Sequence, residues 1–292
     1  MNGFLNLLKP PGMTSHDVVS AVRRVLQTKS VGHTGTLDPA AAGVLVLTVG
    51  EYTRLGQYLL EGDKAYRAEI TLGLTTDSAD VEGVVLAEDS AAGVTEEAVD
   101  AALVPLTGSV TMRPPAYSAV RVDGKRLYEL ARAGKQVEAP ERTVEVSQLT
   151  KLGFAPGHRA RVLVDVTCSK GTYIRSLAVM LGKSLGCGGH LSMLIRAAVG
   201  VHRLDEAVTF EELAQDPAGC LMTARQALPH LPEVLVGPAA TEALRHGQAV
   251  PSNDNLPPGP VLVYNAPDAL LCLAEVRAGT EVLLQPRKVF SQ

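Results

Sequence analysis

Two stretches of the chain alternate strictly between apolar and polar positions, the period of a half-buried strand. Tyr66, Ala68, Ile70 and Leu72 recur across Lys64 to Leu72, and Val162, Val164, Val166 and Cys168 recur across Arg161 to Cys168. Val44 to Val49 is a continuous apolar run of strand length, and a further apolar strand precedes Lys9. Helical spacing places Val18, Val19, Val22, Val25 and Leu26 on one face of a helix running from a Ser15 N-cap to about Gln27. Thr95 opens an acid-led helix over Glu96 to Leu103. Two more helices are predicted over Leu127 to Ala133, stopped by Gly134, and over Thr172 to Leu185, closed by Gly186. Ser118 to Val122, Asp123-Gly124 and Lys125-Arg126 predict a strand end and hairpin. Elements interspersed in this way predict an α+β fold, with a mixed or antiparallel central sheet and flanking helices. Beyond a predicted linker at Pro229 to Pro232 and Gly237-Pro238, the chain turns to short apolar strands: Val261–Tyr264, Leu270–Val276 and Val282–Leu284. That is the profile of a small β-rich domain. The expected division is 1–230, with a basic insertion at about 113–142, followed by 233–292.

Composition narrows the class. The chain has 292 residues and is 46% hydrophobic, enough for a soluble core. Its longest apolar stretch, Ala40 to Gly50, is about half of a bilayer span, and Met1 to Leu5 shows no signal-peptide pattern. None of the four cysteines forms a C-x-x-C pair, so reduced thiols in a cytoplasmic protein are expected rather than a zinc ribbon. With no Trp, seven Tyr and four Phe, a row of stacking aromatics for single strands is a poor fit. The net charge of −4 is unevenly spread. Residues 61–104 carry eleven acids and two bases, whereas 151–203 carry eight bases and one acid. Residues 204–292 again carry eleven acids against five bases. A basic middle between acidic flanks could present one positive face to a polyanion.

Three segments carry candidate chemistry. Gly32 to Gly43 (GHTGTLDPAAAG) places one histidine and one carboxylate, Asp38, in an irregular loop before an apolar strand. Loops on rigid strands commonly hold catalytic groups, although an Asx turn at Asp38-Pro39 accounts for the pattern equally. Lys170 to Arg175 (KGTYIR) joins a strand to a helix and sets Arg175 on the first turn, where a cation needs a carboxylate partner. Lys9 to Ser15 (KPPGMTS) connects a strand to a helix.

Taken in order, Lys9-Pro10-x-Gly12-x-Thr14-Ser15, Gly32-His33-x-Gly35-x-Leu37-Asp38-Pro39-x-Ala41-x-Gly43 and Cys168 to Arg175 resemble the TruB family of bacterial tRNA pseudouridine synthases. Lys64-x-Tyr66, Arg113-Pro114-Pro115-x-Tyr117-Ser118-Ala119 and Gly188-Gly189-His190-Leu191-x-x-Leu194-x-Arg196 agree with the same pattern. The resemblance covers roughly residues 3 to 205. Beyond that, the chain is similar only in size, position and β content to the family's RNA-binding PUA domain. The resemblance implies a pseudouridine synthase fold and isomerisation of uridine to pseudouridine at position 55, in the T-loop of tRNA. It also implies no cofactor and no metal, no protein partner and a monomer.

By the same resemblance Asp38 is the nucleophile, Arg175 its ion-pair partner, and Tyr66 a ring that stacks on the flipped uracil and can accept its carbon-5 proton. His33 is expected to fill the space the base leaves, and Tyr173 and Leu194 to line the pocket. Lys9, Lys170, Arg196, Arg121, Lys125 and Arg126 are expected to contact the RNA backbone. Pairing with Arg175 is expected to lower the Asp38 pKa. A non-catalytic tRNA-folding module on the same fold is the alternative. A two-carboxylate glycosidase is disfavoured because no second acid lies in these motifs. Deletion beyond Pro232 is expected to leave a folded, slowly active catalytic region. The deleted part is expected to reach the acceptor stem through Arg277, Arg287 or Lys288.

Overall fold

The amphipathic periods resolve into one large sheet and one small one. The structure is a computed structural model that describes residues 1–59, 62–118, 120–122, 124–133, 137, 139–277 and 281–291. Asp123 of the predicted hairpin, Gly134 of the predicted helix stop and Ala119 of the basic motif lie outside the described residues.

In chain order the first elements are β1 (Gly3–Lys9), α1 (Ser15–Val25), β2 (Val31–His33), β3 (Ala42–Val49), a 3₁₀ helix (Gly50–Leu59) and β4 (Lys64–Leu72). The ribbon β5 (Leu74–Thr76) and β6 (Val85–Glu88), α2 (Glu96–Leu103) and β7 (Gly108–Met112) follow. The short hairpin β8 (Arg121–Val122) and β9 (Lys125–Arg126) leads into α3 (Leu127–Arg132). After it come β10 (Arg142–Ala155), β11 (Arg161–Cys168), α4 (Ile174–Ser184), β12 (Gly189–Val199), β13 (His202–Arg203), α5 (Phe210–Gln215) and α6 (Ala224–Ala227). The large sheet runs β1-β3-β12-β4-β11-β10-β7, with β2 added on β3 and β13 on β12. Its β3–β12 ladder is parallel and the others are antiparallel. The α+β fold with a mixed central sheet is therefore as the periods predict.

Strands β4 and β11 have the predicted bounds, because alternation with one face on α4 is what they do: Ala68, Ile70, Val162 and Val164 share a core with Leu177 and Leu181. Central strand β12 escapes the periodic reading. Register shifts against β4 at Leu191/Met193 and Arg196/Ala198 each reverse the side to which the next residues point. The first helix is capped by Thr14, not Ser15. Thr14 and Asp17 form a reciprocal capping box, which leaves the Ser15 hydroxyl for the loop described below.

The remaining elements form the small sheet: β14 (Glu233–Leu235), α7 (Pro238–Arg245), β15 (Val250–Ser252), β16 (Gly259–Ala266), β17 (Ala269–Arg277) and β18 (Val282–Val289). Its order is β14-β16-β17-β18-β15. The predicted β-rich ending is present, but Gly237-Pro238 is not linker. Gly237 is the N-cap of α7 and Pro238 its first residue, a position where the missing N–H costs nothing.

The small sheet does not stand apart. β1 and β3 are buried on both faces, which is why Val44 to Val49 is apolar throughout. Leu5, Leu7, Leu45 and Leu47 pack with α1, whereas Phe4, Val44, Val46 and Leu55 pack with Leu262, Tyr264, Leu270, Leu273 and Phe290. Tyr52 sits between Phe4 and Phe290, with ring centroids 5.5 Å from each. Arg54 donates to Val289 O at 2.8 Å, and Lys288 donates to Arg54 O. Lys288 thus bonds the large-sheet part of the chain, which argues against its expected role on RNA. The shared core argues against the expectation that residues 1–232 fold alone.

The charge pattern is also rearranged. Of the bases in 151–203, Lys151 pairs with Glu96 and Asp100, Arg159 with Glu88, Arg161 with Glu69 and Arg203 with Asp205. Arg175 and Arg196 are buried. The basic middle is thus largely cancelled by acids folded against it. Arg121, Lys125 and Arg126 remain exposed on the β8–β9 hairpin, and Lys170 and Lys183 are exposed elsewhere.

Candidate active site

The glycine-rich segment becomes the connection from β2 to β3. One edge of β3 pairs with β1; the other meets β2 at Leu47–Val49 and β12 at Ala42–Gly43, leaving a gap between them. The Thr34 N–H and hydroxyl donate to Val46 O at 3.0 and 3.1 Å, and Arg196 Nε donates to Val44 O at 2.7 Å, which fills that gap. The other guanidinium nitrogens of Arg196 hold Thr36 O and Gly35 O, both at 3.2 Å. From the opposite side, Lys9 Nζ donates to the carbonyls of Pro10, Pro39 and Ala41 at 3.0, 3.1 and 2.6 Å. Ser15 Oγ donates to Leu37 O at 3.0 Å and accepts from Leu37 N–H at 2.9 Å. At the loop's end, Gly43 has φ +110°, and a Cβ there would lie 2.3 Å from Arg196 O, so only glycine fits.

Lys9 and Arg196 are 0% and 2% exposed. The expectation that they contact phosphate is therefore corrected: their charges hold loop carbonyls in the interior. Burial pushes the Lys9 ammonium down to about 8, with the nearby Asp38 carboxylate opposing. Lys9→Met strands three carbonyl acceptors and is expected to lower unfolding free energy by about 2–4 kcal/mol. An unchanged urea midpoint would contradict this scaffolding role.

Asp38 stands at the crest of this fixed loop. Arg175 binds it with two nitrogens, Nε to Oδ2 at 3.0 Å and Nη2 to Oδ1 at 3.2 Å. The arginine side chain is 6% exposed and that of Asp38 34%. Arg175 also reaches Asp80 Oδ2 at 3.4 Å, Ser78 O at 3.2 Å and Tyr117 O at 2.9 Å. Asp80 in turn accepts from Ser78 Oγ at 2.5 Å and Glu82 N–H at 3.0 Å. Its turn is strained, with Ala79 at φ +63°. Burial raises the Asp38 pKa above its ordinary 3.8; Arg175 pulls it down, and Asp80 adds to the rise. The net direction is upward, opposite to the expected lowering, because desolvation outweighs the ion pair.

Beside the pair lies a shallow open depression lined by Asp38, Ala40, Ala41, Asp80, Val81 and Leu191 to Leu194. Leu194 and Tyr66 are each 8% exposed and share an apolar cluster with Leu37. Burial raises the Tyr66 pKa, so its phenol keeps its proton. Tyr173 directly precedes α4 and is half-buried, with the Arg142 guanidinium 5.8 Å from its ring centre. His33 is exposed on the loop, its Nδ1 accepting from Gly35 N–H at 3.3 Å. Lys170 is exposed in the turn between β11 and α4.

Asp80 is the site residue that the sequence did not point to. It lies in an acid-rich stretch without glycine or proline beside it, so nothing local distinguishes it from a solvated carboxylate. It also removes the stated reason for disfavouring a two-carboxylate glycosidase. What disfavours that chemistry here is geometry: the Asp80 oxygens are occupied by Ser78, Glu82 N–H and Arg175, which makes it a clamp on the arginine.

Fold and site define a carboxylate-centred enzyme with a second small sheet. A family model described as TruB family pseudouridylate synthase (N terminal domain) matches residues 23–174. The tRNA pseudouridine synthase B of Symbiobacterium thermophilum is 51% identical over 249 residues, 85% of this chain and 83% of that protein. That of Heliobacterium modesticaldum is 42% identical over 295 residues, 100% of this chain and 96% of that protein. Among solved structures, one described as a Cbf5-Nop10-Gar1 complex is similar with a TM-score of 0.73 at 28% identity, covering 99% of this chain and 85% of that one. The chain belongs to the TruB family of pseudouridylate synthases.

Proposed function

We propose that this protein isomerises uridine to pseudouridine at position 55 in the T-loop of tRNA, with Asp38 as nucleophile. It acts in the cytoplasm as a single chain, without a protein partner, metal or cofactor. The observation that carries this reading is the bidentate Asp38–Arg175 pair at the mouth of the depression. In the reaction the C1′–N1 bond breaks, the uracil turns, and a C1′–C5 bond forms. The proton leaves C5 and N1 gains one, so the balance closes without redox change. The carboxylate holds the covalent intermediate between the two bonds. The target base must leave its stack, at a cost of about a few kcal/mol. Tyr66 and Leu194 receive it as apolar walls, and the raised Tyr66 pKa favours stacking over proton acceptance. We assign Tyr173 and His33 to the same pocket, and the exposed cations Lys170, Arg121, Lys125 and Arg126 to backbone contacts. The small sheet, residues 233–292, serves as an RNA-binding part.

Tritium release from a tRNA transcript carrying 5-tritiated uridine tests the reading. Wild-type protein should release label from position 55 and none from a transcript with cytidine there. A protein that binds the transcript without release would be the folding module instead.

Because Asp38 must be ionised to attack, its raised pKa sets the acid limit of the reaction. The single-turnover rate is expected to fall with decreasing pH around an apparent pKa above 3.8. Arg175→Lys cannot span both carboxylates and two carbonyls, so it should lose about 100-fold or more in rate and move that limb to higher pH. An unshifted limb in this variant would separate Arg175 from Asp38 ionisation.

A further inference from the structure

Lys64 is the first residue of β4, two positions before Tyr66 and on the same face, about 7 Å along the strand. Its stem crosses the Asp38 loop: Cε lies 3.9 Å from where a Cβ on Gly35 would stand. The residue is half-buried, yet among the described residues no hydrogen bond or ion pair reaches its ammonium. Its charged neighbours are of both signs: Arg196 and Lys170 repel it, while the exposed Asp63 attracts it without making an ion pair. The adjacent Cys168 offers no charge, because burial pushes its thiol up to about 11. Burial and these cations lower the Lys64 pKa.

An unpaired, partly desolvated ammonium costs folding free energy, and the other interior cations of this site are each satisfied, Lys9 and Arg196 by carbonyls and Arg175 by carboxylates. The missing counter-charge has to come from outside the chain. We propose that Lys64 is a phosphate-binding residue of the substrate site, its ammonium taking the RNA backbone phosphate next to the nucleotide that enters the Asp38 depression. Lys64 thereby fixes the register of the strand: one grip on the loop rim, one base-length from Tyr66. This inference rests on the reading that the substrate is RNA.

The test uses the full chain and a tRNA transcript, comparing wild type, Lys64→Gln and Lys64→Arg in binding titrations from low to physiological salt, with single-turnover tritium release at saturation. Lys64→Gln should raise Kd about tenfold and reduce the slope of log Kd against log salt by just under one, the signature of one lost phosphate contact. Its single-turnover rate at saturation should drop by less than Kd rises, and the Tm of the free protein should not fall, since no internal bond is removed. Lys64→Arg should restore the slope. An unchanged slope and Kd in Lys64→Gln, or a lowered Tm with an unchanged slope, would overturn the proposal and make Lys64 structural. A wild-type protein that neither binds nor converts the transcript would overturn the RNA reading itself, and this inference with it.

Discussion

Asp38→Asn is expected to abolish tritium release, with a loss of at least about 10⁴-fold in single-turnover rate. The amide is nearly isosteric but is not a nucleophile. The fold should survive, because the loop is anchored through backbone groups by Lys9, Ser15, Thr34 and Arg196, none of which bonds the Asp38 carboxylate. Arg175 keeps Asp80, Ser78 O and Tyr117 O as partners. Binding of tRNA should stay within a few-fold, since losing one carboxylate charge in the depression removes no backbone contact. The decisive measurement pairs the rate with an unfolding curve. Multiple turnover by a folded Asp38→Asn protein would end the nucleophile assignment.

Truncation after Pro232 is expected to destroy the fold rather than trim an accessory part. Without the small sheet, Phe4, Val44, Val46 and Leu55, each at most 1% exposed, lose Leu262, Tyr264, Leu270, Leu273 and Phe290 as cover. Re-exposing a large buried apolar side chain costs about 1.5–3 kcal/mol. Fully re-exposing four of them would cost up to about 6–12 kcal/mol, comparable to the roughly 5–15 kcal/mol that holds a whole domain together. The bonds from Arg54 to Val289 O and from Ser291 N–H to Glu51 Oε2 would be lost as well. Residues 1–232 should therefore lack a cooperative urea transition and near-ultraviolet circular dichroism. A cooperative transition within about 2 kcal/mol of the full chain would show that β1 and β3 tolerate an open face.

Local sequence determined a good deal. Strict alternation set β4 and β11 to the residue, because those strands bury one face in the core beside α4 and the period of a strand is two. Thr95 set the start of α2. The crowding of glycine, proline, histidine and aspartate before β3 marked the loop that carries Asp38, and the strand-to-helix turn marked Arg175.

Tertiary structure alone decided what those groups meet. Asp38 and Arg175 are 137 residues apart in sequence and meet because the β2–β3 loop and the start of α4 open at one place on the sheet. Asp80 joins them from a strained turn that no local pattern distinguishes. Lys9 and Arg196 read as surface cations, since no sequence rule says that a broken strand edge will need side-chain donors. β12 was illegible because two bulges cancel its period, and the sharing of one core by two sheets was hidden because apolar runs do not name their partners. The basic middle of the chain lost its apparent positive face because acids remote in sequence fold beside it. In each case the deciding quantity is a desolvation or a contact between residues far apart in sequence, fixed only once the chain has closed.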